Sequence, residues 1–367
     1  MLRAVFGFCI GIVAASLAPA VQADPQILYR YQHVVLIDSQ WGPLAQFQAG
    51  LAKALTDCGQ PALSADGKFG DQTLAAMRRL AACPGYGDFA IGQGQAQDGA
   101  VTDALWSKLT ASPPPAPAKR GFVIWLTHEA TDYDKAEWNF NADGTPQAND
   151  RTSFLTWGPY GATIGHGGEV QAILASAADL THRCFGGEAP ALLGLVGRTS
   201  EERGAVVRAA FLDPARKALW RSGFTCFGAD AAGRDAYDAY AFASSRWLKP
   251  AIDRVSALIP AGTPRTDIDY AFFADIVMHM TIGSDLMAAA RTALQAAAAQ
   301  KGSPLTPAER RRVLSHVFVP PNQQRDRLGR DVVYFVDGIG EASLTADERD
   351  AWQWRSRLRT SSVGLID

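Results

Sequence analysis

The chain has 367 residues, 35 Lys+Arg against 37 Asp+Glu, and a formal net charge of −2. That balance gives no long-range attraction to nucleic acid, and no block of like charge exceeds Arg310-Arg311-Arg312, so nucleic-acid binding is not expected. With 47% apolar residues the chain can build substantial cores, and its length suggests two domains.

The N-terminus carries a lone Arg3, an apolar run from Ala4 to Leu17, and small residues around Ala20-Val21-Gln22-Ala23. Residues 1–23 therefore read as a secretory signal. The apolar run is short for a membrane span, and nothing later approaches the roughly 20 apolar residues a span needs. The mature chain is expected to be periplasmic or secreted, without a membrane span. Cys9 lies inside the signal, which leaves Cys58, Cys83, Cys184 and Cys226 in an oxidising compartment. The simplest pairing joins Cys58 to Cys83 and Cys184 to Cys226, one bridge inside each expected domain.

Leu44, Phe47, Leu51 and Leu55 recur at helical spacing, followed by Cys58-Gly59 and an Asp66-Gly67 turn. Phe69 is a candidate anchor, and a helix follows over Thr73–Leu80 with Leu74, Met77 and Leu80 on its apolar face. After a glycine- and glutamine-rich stretch from Pro84 to Gln97, a second turn at Asp98-Gly99 precedes Thr102, Leu105, Trp106 and Leu109. This order of helix, DGxFG turn, helix, DG turn and short tryptophan-bearing helix resembles the small peptidoglycan-binding module of bacterial cell-wall enzymes. The resemblance implies a three-helix domain over residues 24–110 that binds a wall polymer. The stretch from Pro84 to Gln97 is longer than the family's usual connection. Phe69 and Trp106 themselves are expected to be core.

Residues 111–119, rich in proline and almost uncharged, read as an extended, semi-rigid spacer. Beyond it, helical patterning dominates: Phe122–Leu126, Val170–Leu180, Ala239–Leu258, Ile268–Ala299 and Pro307–Val317. The exception is Trp138–Thr163, whose Asn, Asp, Gly, Thr and aromatic residues read as turns and short strands. The expected fold class is mainly α, with a larger α+β domain over residues 120–367 carrying a short β-hairpin insert.

Glycosidic cleavage needs a carboxylic acid kept protonated and a second, ionised carboxylate that guides water or attacks the sugar. Glu129 ends an apolar helix, where the surroundings would raise its pKa, and Asp150 sits on the polar hairpin, where hydration would leave it ionised. A glutamate on a first helix, an aspartate on a hairpin, Thr156 six positions later and the run Thr163-Ile164-Gly165-His166 resemble the lysozyme-like superfamily, phage-type lysozymes and chitosanase relatives in particular. The likeness implies Glu129 as general acid, Asp150 as second carboxylate and Thr156 as the hydroxyl that positions water. Asp143 competes with Asp150, and Thr152 or Thr163 with Thr156. Trp157, Tyr160 and His166 are candidate substrate contacts, since sugar rings stack on aromatic faces.

Each of these residues also has a structural use. Glu129 could cap or bridge a neighbouring helix, Asp150 could form a turn, His166 could bond a carboxylate, and Glu169 could stabilise the helix it begins. Trp157 and Tyr160 could equally pack in the core. Trp247, Tyr270, Phe272 and Phe273 read as core, and Asp267, Asp269, Asp275 and His279 as capping and solvated residues.

The expected function is therefore an exported, muramidase-like hydrolase of peptidoglycan or a related amino-sugar polymer, targeted by its N-terminal module and needing no cofactor or metal. The alternatives are a catalytically inactive wall-binding scaffold and a zinc amidase or peptidase using His128, Glu129, His166 and His182. No HExxH motif supports the zinc reading. Residues 319–367 are assigned no role.

Overall fold

The computed structural model describes residues 26–31, 33–89, 99–148, 151–243, 246–319 and 324–367. The expected signal, Asp98 and Asp150 lie outside the described residues. The chain is 61% helical and 8% strand, a mainly α protein with small sheets.

The first unit contains α1 (Pro43–Asp57), α2 (Asp71–Leu80) and α3 (Asp103–Thr110). Strand β1 (Ile27–Arg30) pairs with β4 (Ala100–Thr102), and β2 (Leu36–Ile37) with β3 (Lys68–Phe69), both antiparallel. The stripe Leu44, Phe47, Leu51 and Leu55 is buried, as its spacing predicts, and so are Phe69 and Trp106. Asp71 in the first turn of α2 and Arg78 and Arg79 in its last turn complement the helix dipole. The Asp66-Gly67 turn forms as read: Asp66 Oδ1 accepts from Lys68 N at 2.9 Å, and Gly67 takes φ +75°. A side chain on Gly67 would also meet the Ser39 carbonyl oxygen at 2.7 Å, so only glycine fits.

Both expected disulfides are present, Cys58–Cys83 and Cys184–Cys226, with Cα separations of 5.8 and 5.5 Å.

The proline-rich stretch is tied down at both ends. Pro113 O accepts from Trp106 Nε1 at 3.0 Å, Pro115 O accepts from Arg120 Nη1 at 2.8 Å, and α4 (Pro117–Glu129) begins inside it. The first unit also lies directly on the rest of the chain. Ile37 N donates to Thr127 Oγ1 at 2.9 Å, and Asp132 accepts from Ser39 Oγ at 2.6 Å and from Gln40 N at 3.0 Å. The buried apolar side chains form one continuous cluster across both parts.

After α4, β5 (Ala136–Trp138), β6 (Ser153–Trp157) and β7 (Ala162–Gly165) form an antiparallel meander, one strand more than the expected hairpin. Helices α5 (Glu169–Ser176), α6 (Ala178–Phe185), α7 (Ala189–Leu193), α8 (Ser200–Leu212), α9 (Pro214–Ala229) and α10 (Ala231–Asp238) pack around it. The second half is helical: α11 (Leu248–Ser256), α12 (Asp267–His279), α13 (Ser284–Lys301), α14 (Pro307–Phe318), α15 (Gln324–Asp331), α16 (Val336–Ile339) and α17 (Ala346–Trp354). Capping boxes start α8, α12, α14 and α17, each a threonine closed by an acid three residues on.

Helices α4 and α12 touch along their length. Arg120 pairs with Asp267, Gly121 packs on Ala271, Trp125 lies 4.3 Å ring to ring from His279, and Glu129 reaches the same histidine. Contacts that advance along both helices together mean that the two run side by side in the same direction.

Candidate active site

Glu129 ends α4, and the next residue, Ala130, takes a left-handed conformation that turns the chain away. Its side chain is 34% exposed, at the mouth of a buried ionic cluster. Behind it α15 supplies Arg330, 1% exposed, whose Nη1 donates to Glu129 Oε1. Nη2 of the same guanidinium lies 3.3 Å from Asp275 Oδ1 on α12. Asp275 also accepts from Tyr334 Oη at 3.0 Å and lies 3.8 Å from Arg327. His279 Nδ1 faces the Asp275 main-chain oxygen at 2.8 Å; a carbonyl only accepts, so Nδ1 carries the hydrogen. Nε2 then stands 3.6 Å from Glu129 Oε1, which becomes an ion pair when the ring is protonated. The Arg330 guanidinium lies 4.7 Å over the Trp125 ring, which fixes its plane.

This arrangement corrects the expectation for Glu129. Burial pushes its carboxyl up, but the neighbouring His279 ring and the Arg330 guanidinium together outweigh burial and hold it at about 2. In the resting protein Glu129 is a carboxylate, not a carboxylic acid. Asp275 is driven well down in the same way: burial opposes ionisation, and Arg330 and Arg327 overcome it. Asp331, beside them on α15, behaves oppositely. Burial raises it to about 6, because Arg327 Nη2, at 3.9 Å, is too far to compensate. His128, preceding Glu129, is half-buried with its Nε2 covered, and burial and Arg330 push it down to about 3.

The sheet carries a polar face of its own. Thr156 pairs with Glu137 on one side and Thr163 on the other, so these three side chains share a face, while Leu155 and Trp157 point to the core. Asn139 Nδ2 donates to the Ser153 carbonyl and, at 2.9 Å, to Thr156 Oγ1. Because Ser153 O can only accept, the amide orientation is fixed and Thr156 receives rather than gives. Its own hydrogen has no acceptor among the described residues and is free for a ligand or water. Thr163 is spent differently, its hydroxyl donating to Glu169 at 2.8 Å. Trp125, one turn before Glu129, donates its Nε1 to Pro159 O and so ties α4 to the β6–β7 turn.

Asp150 lies outside the described residues. Asp143 is exposed and committed to a turn: its Oδ1 accepts from Thr145 N at 2.9 Å and Thr145 Oγ1 at 2.7 Å, which holds it below the usual carboxylate range. Two candidate substrate contacts are corrected. Trp157 is 1% exposed, with Nε1 on Tyr133 O at 2.6 Å and its ring against Phe224, Phe227 and Tyr237. Tyr160 is buried between Phe122 and Phe242 with its hydroxyl 3.3 Å from that of Tyr133. Both are core, because strand alternation and the tight Gly158–Gly161 turn direct them inward. His166 is exposed in the turn after β7, its backbone N–H on Thr152 O at 2.8 Å. Glu169 does begin α5, as expected, and in addition binds Thr163 through both its N–H and its hydroxyl.

Sequence reasoning missed Arg327, Arg330, Asp331 and Tyr334, all from the C-terminal stretch left without a role. It also read Asp275 and His279 as capping and solvated residues, although their four-residue spacing placed both on one helix face. Among the described residues, no group of three or more His, Cys, Asp or Glu side chains could hold a metal ion. No helix among them is long and apolar enough to cross a membrane. No family model, no curated protein and no solved structure matches this chain.

Proposed function

We propose that this protein is an exported, muramidase-like glycan hydrolase that cuts glycosidic bonds of peptidoglycan or a related amino-sugar polymer, with the N-terminal unit as a wall-binding module. The observation that carries the reading is Glu129, a partly exposed carboxylate held ionised by Arg330 and His279 at the end of α4. Thr156, with its hydroxyl hydrogen free, supports it from the sheet.

An ionised Glu129 suits the carboxylate that guides water or attacks the sugar, which leaves the proton-donating role to Asp150, since its competitor Asp143 is committed to a turn. This exchanges the roles that the sequence likeness implies. No cofactor enters this chemistry. The DGxFG module holds the protein on the polymer and raises the local concentration of cleavable bonds.

The test is release of reducing ends from purified sacculi and from soluble chitosan oligomers. Glu129→Gln and Asp150→Asn should each abolish release while sacculus binding persists, and the substrate cleaved identifies the polymer. Undiminished hydrolysis by Glu129→Gln would falsify the assignment. One observation favours a second reading, a wall-binding protein without hydrolytic activity: Glu129 is already engaged by Arg330. Sacculus binding with no release by the wild-type protein would establish it.

A further inference from the structure

On the side of the molecule built by α13 and the start of α14 lies a cavity of about 460 Å³. That is within the range of about 300–1,000 Å³ typical of small-molecule sites. Its walls are largely apolar: Leu258, after α11, Leu294 and Ala298 on α13, and Leu305 before α14. The charged residues lining it are Arg291 and Arg310, with no carboxylate. Neither guanidinium has an ion-pair partner among the described residues, and the neighbouring acid, Glu309, is taken by Lys301. Arg310 is 8% exposed, and although its Nη1 donates to Leu305 O at 3.2 Å, its Nη2 is buried with no partner.

Nη2 itself is covered, so what the cavity presents is the positive charge of the two guanidiniums beside an apolar lining, and that combination calls for an anionic ligand. The surroundings define what that is: an apolar body to cover the leucines, and a single anionic head to meet two arginines. A sugar would leave its hydroxyls against leucine, and a cation would be repelled. We propose that this cavity binds a single-chain anionic amphiphile, its acyl tail along Leu258, Leu294, Ala298 and Leu305 and its carboxylate on Arg291 and Arg310. The site is separate from the Glu129 cluster and does not depend on glycan hydrolysis.

The probe is dodecanoate, titrated calorimetrically below its self-association concentration into the folded, exported form of the full chain. Dodecyltrimethylammonium reproduces the tail with the opposite charge, and acetate the head without the tail. The site requires one dodecanoate per chain, no saturable binding of either control, and at least about tenfold weaker binding in Arg310→Met and in Arg291→Gln, as expected for loss of charge-assisted hydrogen bonds. Equal binding of the trimethylammonium compound, unaltered affinity in the variants, or no binding by the wild-type chain overturns the proposal. Should Arg310→Met fail to fold, the decision rests with Arg291→Gln, because the Arg291 side chain is exposed.

Discussion

Gly121 on α4 packs so closely on Ala271 of α12 that a Cβ added to the glycine would lie 2.4 Å from the alanine Cβ. This contact sets the spacing of the two helices and hence of everything carried further along them. Two turns on, Glu129 meets His279, and Arg330 bridges Glu129 to Asp275.

Replacing Gly121 with valine should therefore act at a distance. Overpacking of this kind costs about 1–3 kcal/mol, and the helices can relieve it only by separating. We expect a folded protein with a lower melting temperature and a strongly reduced rate on sacculi, although position 121 is buried in the α4–α12 seam. A stable Gly121→Val protein with full activity would contradict the positioning role.

Stability should peak in mild acid rather than at neutrality. Glu129 and Glu348 are each lowered from 4.5 to about 2: burial opposes ionisation in both, and the neighbouring His279 and Arg330, or His316 and Arg312, prevail. Their contribution is fully present above pH 4.5 and is lost as pH falls towards 2. Burial raises Asp331 and Asp38 to about 6 and about 7 from 3.8, so the folded state holds protons that the unfolded state releases. Their contribution is present below 3.8 and is lost as pH rises through those values. His128, lowered from 6.5 to about 3, works the other way and adds stability as pH rises between those values, offsetting one of the two aspartates, so the melting temperature should have its maximum at about pH 5. Asp331→Asn cannot ionise and should flatten the alkaline side. The difference between 3.8 and about 6 corresponds to roughly 3 kcal/mol at most for this residue. An alkaline limb identical in wild type and Asp331→Asn would remove Asp331 from this account.

The parts of the molecule that were legible in the sequence are those whose information is local. The stripe Leu44, Phe47, Leu51, Leu55 lies within one helix, and Asp66-Gly67 needs only its own turn chemistry. The disulfides link neighbouring cysteines along the chain. Trp157 could have been placed too: it alternates with Thr156 and shares the face of Leu155, so a period-two reading puts it in the core. The Glu129–Arg330 pair spans 201 positions. An arginine in a polar C-terminal stretch carries no mark of the carboxylate that it will meet. Only the parallel packing of α4 and α12, closed by α15, brings the charges together, and burial then decides which of them ionise.

Arg330 is the residue whose replacement separates charge from packing. Arg330→Met keeps much of the side-chain volume over Trp125 but removes the charge that depresses Glu129. The Glu129 carboxyl should rise towards or above 4.5, and the acid limb of kcat/KM should move up by about two pH units if Glu129 works as an ionised group. Losing one partner of a buried ion pair costs roughly 3–5 kcal/mol, and Asp275 keeps Arg327 and Tyr334, so the lower half of that range is expected. Arg330→Lys retains the positive charge and should keep the limb lower. Identical acid limbs in all three proteins would show that the ionisation of Glu129 does not govern the rate.

Asn139 offers a test of Thr156 that leaves the threonine itself in place. The amide nitrogen of Asn139 donates to Thr156 Oγ1, so the hydroxyl hydrogen points elsewhere and can hold a water or a substrate oxygen. Asn139→Asp substitutes an acceptor of nearly the same shape, which would capture that hydrogen and reverse the bond. Glycan turnover should then fall by roughly 10- to 100-fold, within the range of general acid–base and positioning effects. KM should be little changed, because binding surfaces away from the hydroxyl are untouched. Activity should recover as pH is lowered through the pKa of the introduced carboxyl, since its protonated form can donate again. A rate loss independent of pH, or one matched by an equal rise in KM, would assign Asn139 to holding the β5–β6 connection and leave the Thr156 hydroxyl without a catalytic role.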